Sequence, residues 1–187
     1  MKLFSVWDTG LAGLDDEGIA RRWGERAGAD PLRTIARYRA GRPDAAPADI
    51  WVAVSTDWVF RIPAIRLLEA QLQHQPACWS YLFTTRSTAF GGMLGSCHAL
   101  DIPYVFDTLD RPGVAMFTGN PEGAAELAIA MQEAWLAFAR SGAPGHAGLP
   151  EWPRYDVERR STMELGTPSR LLIDPNAAER VIWDGVR

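Results

Sequence analysis

Near the middle of the chain, a histidine lies in the stretch Gly95-Ser96-Cys97-His98-Ala99-Leu100-Asp101-Ile102-Pro103-Tyr104-Val105-Phe106. The segment before it carries aromatic residues at every second position, Trp79, Tyr81 and Phe83, and this period predicts a strand. Loops held by a rigid strand often carry catalytic side chains. A neutral imidazole in this loop could act as a general base toward a hydroxyl nucleophile. The alternative is a histidine that only forms hydrogen bonds within its loop.

The sequence contains no recognisable nucleophile for His98 to activate. Adjacent side chains normally point in different directions, so Cys97 is better interpreted as a small buried thiol than as a thiolate nucleophile. The Gly-x-Ser-x-Gly pattern of a serine nucleophile does not occur in this sequence, nor does a His-Gly-Gly-Gly oxyanion loop. His74, His146 and Cys78 add no spacing typical of metal ligands, so we expect no metal and no cofactor.

Composition narrows the class of protein. Of 187 residues, 47% are hydrophobic and 22% are charged, which is typical of a globular domain. The formal net charge of −4 argues against a general nucleic-acid binder, which needs a basic surface. No apolar run reaches the length of a membrane helix, and the first residues resemble no signal peptide. Two cysteines make no disulfide framework, so we expect a reducing, cytoplasmic location.

Capping residues and apolar spacing predict most helices. Residues 15–24 and 30–41 each begin at an aspartate and end at a glycine. Apolar residues recur every three to four positions over 49–75, where Pro63 must kink or divide the helix. A further helix is predicted over 120–142, with Asn120 as its N-cap.

The predicted strands are few. Residues 162–165 and 170–173 form two short candidates, which makes about three strands with the one near Tyr81. We see no repeat and no flexible linker, so residues 1–187 are expected to form a single segment. A strand with exposed faces and edges is unstable alone, so the sequence predicts that this sheet needs further neighbours.

The stretch 95–106 resembles the catalytic-histidine segment of type-B carboxylesterases, a family that includes para-nitrobenzyl esterases and cholinesterases. Three more segments resemble that family in the same order. They are the helix segment Asp57-Trp58-Val59-Phe60-Arg61-Ile62-Pro63-Ala64, the strand Trp79-Ser80-Tyr81-Leu82-Phe83, and the late helix Trp135-Leu136-Ala137-Phe138-Ala139-Arg140-Ser141-Gly142-Ala143-Pro144 with its Trp152-Pro153-x-Tyr155 sequel. The resemblance covers nearly the whole chain but only the C-terminal part of the family.

The resemblance implies an α/β fold, namely the C-terminal portion of an α/β-hydrolase domain, helix-rich with about three short strands. It implies that His98 takes the proton of a catalytic serine and later protonates the leaving alcohol. The acidic member of the triad would fall immediately ahead of Met1, and the serine further upstream. We therefore expect both to be absent from this chain, and expect the chain alone to be inactive.

Two function classes follow. The first is a fragment of a carboxylic ester hydrolase, from a truncated or mis-started gene, that acts on a small-molecule ester once the missing part is present. The second is a non-catalytic interaction fragment that pairs with an N-terminal half or self-associates through exposed apolar surface. Partners in nucleic acid or membrane are not expected. A small, independent hydrolase using Cys97 and His98 is a third, weaker hypothesis.

Overall fold

The computed structural model describes residues 2–5, 8–24 and 30–186. Contacts within the chain define two compact units. The first comprises Leu3–Leu67 with Asn176–Arg187, and the second comprises Leu68–Pro175 with Lys2. Helices make up the regular structure of the first unit, whereas the second carries the sheet.

The N-terminal helices start and end where short-range signals place them. They are α1 (Lys2–Ser5), α2 (Asp16–Trp23), α3 (Pro31–Ala40), α4 (Pro47–Thr56), a π-helix (Asp57–Arg61) and α5 (Ile62–Gln71), with a 3-10 turn at Thr9–Leu11. The Asp15 carboxylate accepts the backbone N–H of Gly18 at 2.6 Å, and Asp30 accepts that of Leu32 at 2.9 Å. The predicted N-cap Asp30 is therefore confirmed, and Asp15 caps the helix that the sequence predicts to start there.

The long helical segment is divided where the proline predicts. The backbone N–H of Ile62 donates to the carbonyl of Asp57, which makes a wide π turn immediately before Pro63. Proline has no N–H, and its ring crowds the preceding turn of a helix. A π turn absorbs that crowding without ending the helix.

The core of the first unit is rich in tryptophan. The Trp23 ring lies edge-on to those of Trp51, Trp58 and Trp183, at centroid distances of 6.4, 5.5 and 5.6 Å. Edge-on contacts suit the quadrupole of aromatic rings. The buried members of this core are Ile19, Trp23, Ile35, Tyr38, Ile50, Val54, Ile62 and Trp183. Tryptophan rings thus line much of this interior.

The second unit holds a small sheet and its covering helices. Its elements are β1 (Ser80–Phe83), a 3-10 turn (Ala89–Gly92), α6 (Ile102–Val105), α7 (Ala115–Thr118), α8 (Ala124–Ser141), β2 (Ser161–Leu165) and β3 (Arg170–Ile173). The strand order is β1-β2-β3, with β1 parallel and β3 antiparallel to β2. The elements that follow β3 in the chain, α9 (Ala177–Arg180) and a 3-10 turn (Val181–Trp183), belong to the first unit.

The middle strand lies in the core of the second unit. Met163 and Leu165 of β2 are fully buried, and they pack in one cluster with Tyr104 of α6 and with Leu127 and Met131 of α8. Within the described residues, β1 is paired with β2 on one side only. Its other edge is open, and the loop that carries His98 follows the C-terminal end of this strand.

The predicted start of α8 is wrong by about one turn. Asn120 is not its N-cap, because the helix begins at Ala124 after Gly123, whose φ of 73° is left-handed. A residue in that conformation cannot belong to a right-handed helix. The Asn120 backbone N–H instead donates to the Thr88 hydroxyl at 3.0 Å. The predicted end at Gly142 is confirmed, since this glycine is also left-handed, with a φ of 75°.

Candidate catalytic histidine site

His98 lies exposed in a turn between two buried residues. Cys97 is 6% exposed and Leu100 is 0% exposed, so the chain is anchored on both sides of the histidine. The Leu100 N–H donates to the Cys97 carbonyl at 3.2 Å and closes the turn. Ala99 between them adopts a left-handed φ of 68°, which is uncommon for a residue with a side chain. The turn therefore presents the imidazole to solvent from a fixed support.

The base of the histidine loop is held by contacts with distant segments. The Ser87 N–H donates to the Gly95 carbonyl at 3.0 Å, so the two ends of the glycine-rich segment are joined by a hydrogen bond. The Ser87 hydroxyl donates to the Phe117 carbonyl of α7 at 2.7 Å. One residue past Gly95, the Ser96 hydroxyl donates to the Phe83 carbonyl at the end of β1, at 2.9 Å.

The acid nearest in sequence to His98 has a partner of its own. The Tyr81 hydroxyl donates to Asp101 Oδ2 at 3.3 Å, and the Tyr81 ring lies edge-on to Trp135 at 5.2 Å. Partial burial raises the pKa of Tyr81 to about 12, and the negative charge of Asp101 and the hydrogen bond to it act in the same direction. The phenol therefore stays protonated at neutral pH and remains a donor to this carboxylate.

The two cysteines are free and buried. Burial raises the pKa of the Cys97 thiol, because a thiolate is poorly solvated there. The Cys78 thiol donates to the Gln75 carbonyl at 3.1 Å. A buried thiol with a raised pKa is a poor nucleophile, which weighs against the hypothesis of a hydrolase using Cys97 and His98. Among the residues described, no cluster of three or more His, Cys, Asp or Glu side chains could hold a metal ion.

The other two histidines differ from each other. His74 is exposed just beyond the end of α5. His146 looks like a solvated loop residue in the sequence, but this interpretation is wrong because it is half-buried with both ring nitrogens bonded. Its Nδ1 accepts the Gly148 N–H at 3.1 Å, so Nε2 is the nitrogen that donates to the Ala130 carbonyl, at 2.9 Å. His146 thus has a purely structural role, with both ring nitrogens in hydrogen bonds to the backbone.

Two basic side chains meet the histidine loop. A Cβ built on Gly95 would lie 3.4 Å from Lys2 Cδ and 3.9 Å from both Lys2 Nζ and Arg86 Nη2. The Lys2 side chain thus lies near a residue three positions from His98. Sequence patterns reveal neither this proximity nor the hydrogen bond of Ser96 to Phe83, because both depend on residues that are not neighbours in the sequence.

Comparison with known proteins identifies the class. The solved structure of a carboxylesterase from Geobacillus stearothermophilus superposes with a TM-score of 0.76 at 32% identity, over 97% of this chain and 37% of that one. The solved relatives are α/β-hydrolase carboxylesterases, which confirms the predicted fold class. The family model "Carboxylesterase family" matches residues 34–183. The chain belongs to the carboxylesterase family, as the resemblance predicts.

Two related proteins of known activity match most of this chain, but only about a third of their own length. The para-nitrobenzyl esterase of Bacillus subtilis (strain 168) is 29% identical over 168 residues, which are 81% of this chain and 32% of that protein. The phenmedipham hydrolase of Pseudarthrobacter oxydans is 27% identical over 151 residues, 79% of this chain and 29% of that protein. The chain therefore spans about a third of the length of these relatives. No helix in the described part of the chain is long and apolar enough to span a bilayer.

Proposed function

We propose that this chain supplies the catalytic histidine of a serine carboxylic ester hydrolase, and that residue is His98. The observation that carries the proposal is the exposure of His98 between the buried Cys97 and Leu100, on a loop fastened to the end of a strand. A general base needs such a fixed but accessible imidazole. Residues 1–187 would act as one segment of an α/β-hydrolase domain, and the ester would be a small molecule.

In this reaction, His98 first accepts a proton and then donates it. The imidazole accepts the proton of a serine hydroxyl while the serine oxygen attacks the ester carbonyl carbon. As the tetrahedral intermediate collapses, the imidazolium returns that proton to the leaving alcohol, and an acyl-serine remains. Water then repeats the sequence and releases the acid. The serine must come from outside this sequence, because its elbow pattern is absent here.

The start of the chain supports a position for the acid. In the family pattern, the triad carboxylate precedes a segment like Lys2-Leu3-Phe4. The Lys2 side chain lies near Gly95, which supports a triad carboxylate on this side of the histidine loop in a longer protein. Arg86 and Lys2 place two positive groups near Gly95, and cations near the proposed carboxylate would favour its ionised form. Two free thiols are compatible with our further proposal of a cytoplasmic location.

A chimera tests the role of His98. The part of the Geobacillus stearothermophilus esterase that precedes the matched region is fused to this complete chain, and turnover of para-nitrophenyl butyrate is measured. We expect His98→Ala to lower kcat by roughly a thousandfold or more, because triad members act as a unit. His74→Ala, at an exposed histidine, is the matched control and should change little. Equal activity of the two variants would refute the assignment of His98.

The second candidate function is a non-catalytic interaction fragment. It is favoured by the open edge of β1, since unpaired strand edges associate. Large apolar side chains are also exposed in the same unit, namely Phe90, Met93, Ile102, Phe106 and Met116. Light scattering over a wide dilution series distinguishes this function. A monomer at every concentration would count against self-association, whereas a concentration-dependent mass would support it.

A further inference from the structure

We propose that Ser96 is a positioning residue for His98, in that its hydroxyl fastens the histidine loop to the open edge of β1. This inference rests on the proposed catalytic role of His98. Ser96 would not touch the substrate or the transferred proton. Its effect would be to hold the chain two residues before the imidazole at a fixed distance from the sheet, and thereby to keep the imidazole aligned with a nucleophile.

The direction of the Phe83 carbonyl follows from the peptide bond. The Thr84 N–H donates to the Leu165 carbonyl of β2 at 3.0 Å, so it points toward the middle of the sheet. In a trans peptide the N–H and the preceding carbonyl point in opposite directions. The Phe83 carbonyl therefore faces away from β2, along the open edge. There it accepts the Ser96 hydroxyl at 2.9 Å.

Two successive residues of the loop thus form hydrogen bonds with two different parts of the chain. Gly95 accepts the Ser87 N–H through its carbonyl, and Ser96 reaches Phe83 through its side chain. The first bond joins the loop to itself, whereas the second joins it to the sheet. The Ser96 hydroxyl therefore links the loop that carries His98 to the end of strand β1.

Loss of the hydroxyl should leave the fold intact. Ser96 is exposed, so Ser96→Ala opens no cavity and leaves no buried polar atom without water. A positioning effect can therefore be separated from a folding effect. Displacement of a catalytic group by about 1 Å can cost up to about a hundredfold in rate. We expect an intermediate loss, roughly tenfold in kcat, with little change in KM.

The first test uses the chain itself. It has only three histidines, so long-range ¹H–¹⁵N spectra give three ring systems, and His98→Gln identifies the one that belongs to His98. We expect Ser96→Ala to shift and broaden the His98 ring signals and to speed amide exchange at Leu100, with His74 and His146 unchanged. Ser96→Thr, which keeps the hydroxyl, should restore the original spectrum. An unchanged His98 signal in Ser96→Ala would overturn the proposal.

The second test uses the chimera described above. Ser96→Ala should lower kcat roughly tenfold and Ser96→Thr should recover most of it. Ser141→Ala is the matched control, because that exposed serine also donates to a backbone carbonyl, that of Ala137 at 2.8 Å, but on α8. Wild-type kcat in Ser96→Ala, or an equal loss in Ser96→Ala and Ser96→Thr, would reject the hydroxyl as the cause.

The outcomes separate this inference from the proposed function. If His98→Ala leaves the chimera active, the catalytic role of His98 fails, and the proposed role of Ser96 in catalysis fails with it. If His98→Ala abolishes turnover while Ser96→Ala has no effect, only the positioning role fails. Loss in both variants, with recovery in Ser96→Thr, supports both.

Discussion

The indole N–H of Trp183 donates to the hydroxyl of Tyr38 at 2.9 Å, and both side chains are buried in the first unit. The Tyr38 hydroxyl in turn donates to Asp57 Oδ2. Arg61 donates to the same carboxylate through Nε and Nη2, at 2.7 and 2.6 Å. Burial, followed by the charge of Asp57, raises the pKa of Tyr38, so the phenol remains a donor. These bonds tie α3 and the π-helix to the C-terminal 3-10 turn.

Removal of the Tyr38 hydroxyl should destabilise the protein. In Tyr38→Phe, the Trp183 N–H loses its acceptor and Asp57 loses one donor, in a region without access to water. Buried polar groups left unpaired cost about 1–3 kcal/mol. We expect the free energy of unfolding, measured by urea denaturation, to fall by about 2 kcal/mol.

Tyr104→Phe is the matched control for that prediction. Tyr104 is also fully buried, but its hydroxyl has no hydrogen-bond partner among the described residues. Deletion of an unpaired polar atom removes a desolvation cost, so Tyr104→Phe should be neutral or stabilising. Equal destabilisation of the two variants would show that the hydrogen bonds of Tyr38 are not the source of its effect.

Local chemistry predicted much of the fold. Asp15, Asp30 and Gly142 mark helix ends because capping involves only neighbouring backbone groups. The alternation around Tyr81 predicted β1 for a similarly local reason. Asn120 fits a cap equally well by sequence. It fails because Gly123 is left-handed and Thr88, 32 residues earlier, takes its N–H.

The candidate site shows the same division. His98 stands out in the sequence through its loop and its resemblance to a family, both of which are readable along the chain. Ser96, Lys2 and Tyr81 do not stand out, because what they contribute depends on contacts with Phe83, Gly95 and Asp101. A sequence pattern can thus indicate a reactive side chain, whereas the groups that hold its loop emerge only from tertiary structure.

Gly119 should be intolerant of any side chain. A Cβ there would lie 2.0 Å from the Thr88 hydroxyl oxygen and 2.6 Å from the Ala89 nitrogen, and its φ is 64°. Thr88 follows Ser87, whose N–H holds the base of the histidine loop, so the clash would disturb that base. We expect Gly119→Ala to cost at least about 3 kcal/mol in unfolding free energy, measured by urea denaturation, from strain and collision together.

Gly113→Ala separates those two causes. Gly113 also has a positive φ, 86°, but a Cβ there would meet nothing within 4 Å. Only backbone strain remains, about 1–2 kcal/mol. If Gly119→Ala and Gly113→Ala unfold at the same urea concentration, the contact between Gly119 and Thr88 has no energetic weight.

Neither cysteine should react readily in the folded protein. Cys78 and Cys97 are 8% and 6% exposed, and burial raises the pKa of Cys97. Since the thiolate is the reactive form, we expect a thiol-specific disulfide reagent to modify neither residue until urea unfolds the chain. Ser141→Cys, at an exposed position, should react at once and serves as the control. Rapid labelling of Cys97 would revive the hypothesis of a thiol hydrolase.

Tyr81 should ionise only at strongly alkaline pH. Its pKa is raised to about 12, first by partial burial and then by Asp101, whereas an unfolded tyrosine ionises near pH 10. The neutral phenol is favoured by folding, so its stabilising contribution is complete below about pH 10 and is lost as pH rises through about 12. The phenolate absorbance of the chain minus that of Tyr81→Phe isolates this titration. We expect Asp101→Asn to lower the midpoint, yet to leave it above 10, because burial is the larger cause. A midpoint already at 10 in the unaltered chain would mean that Tyr81 does not hold Asp101 beside the histidine turn.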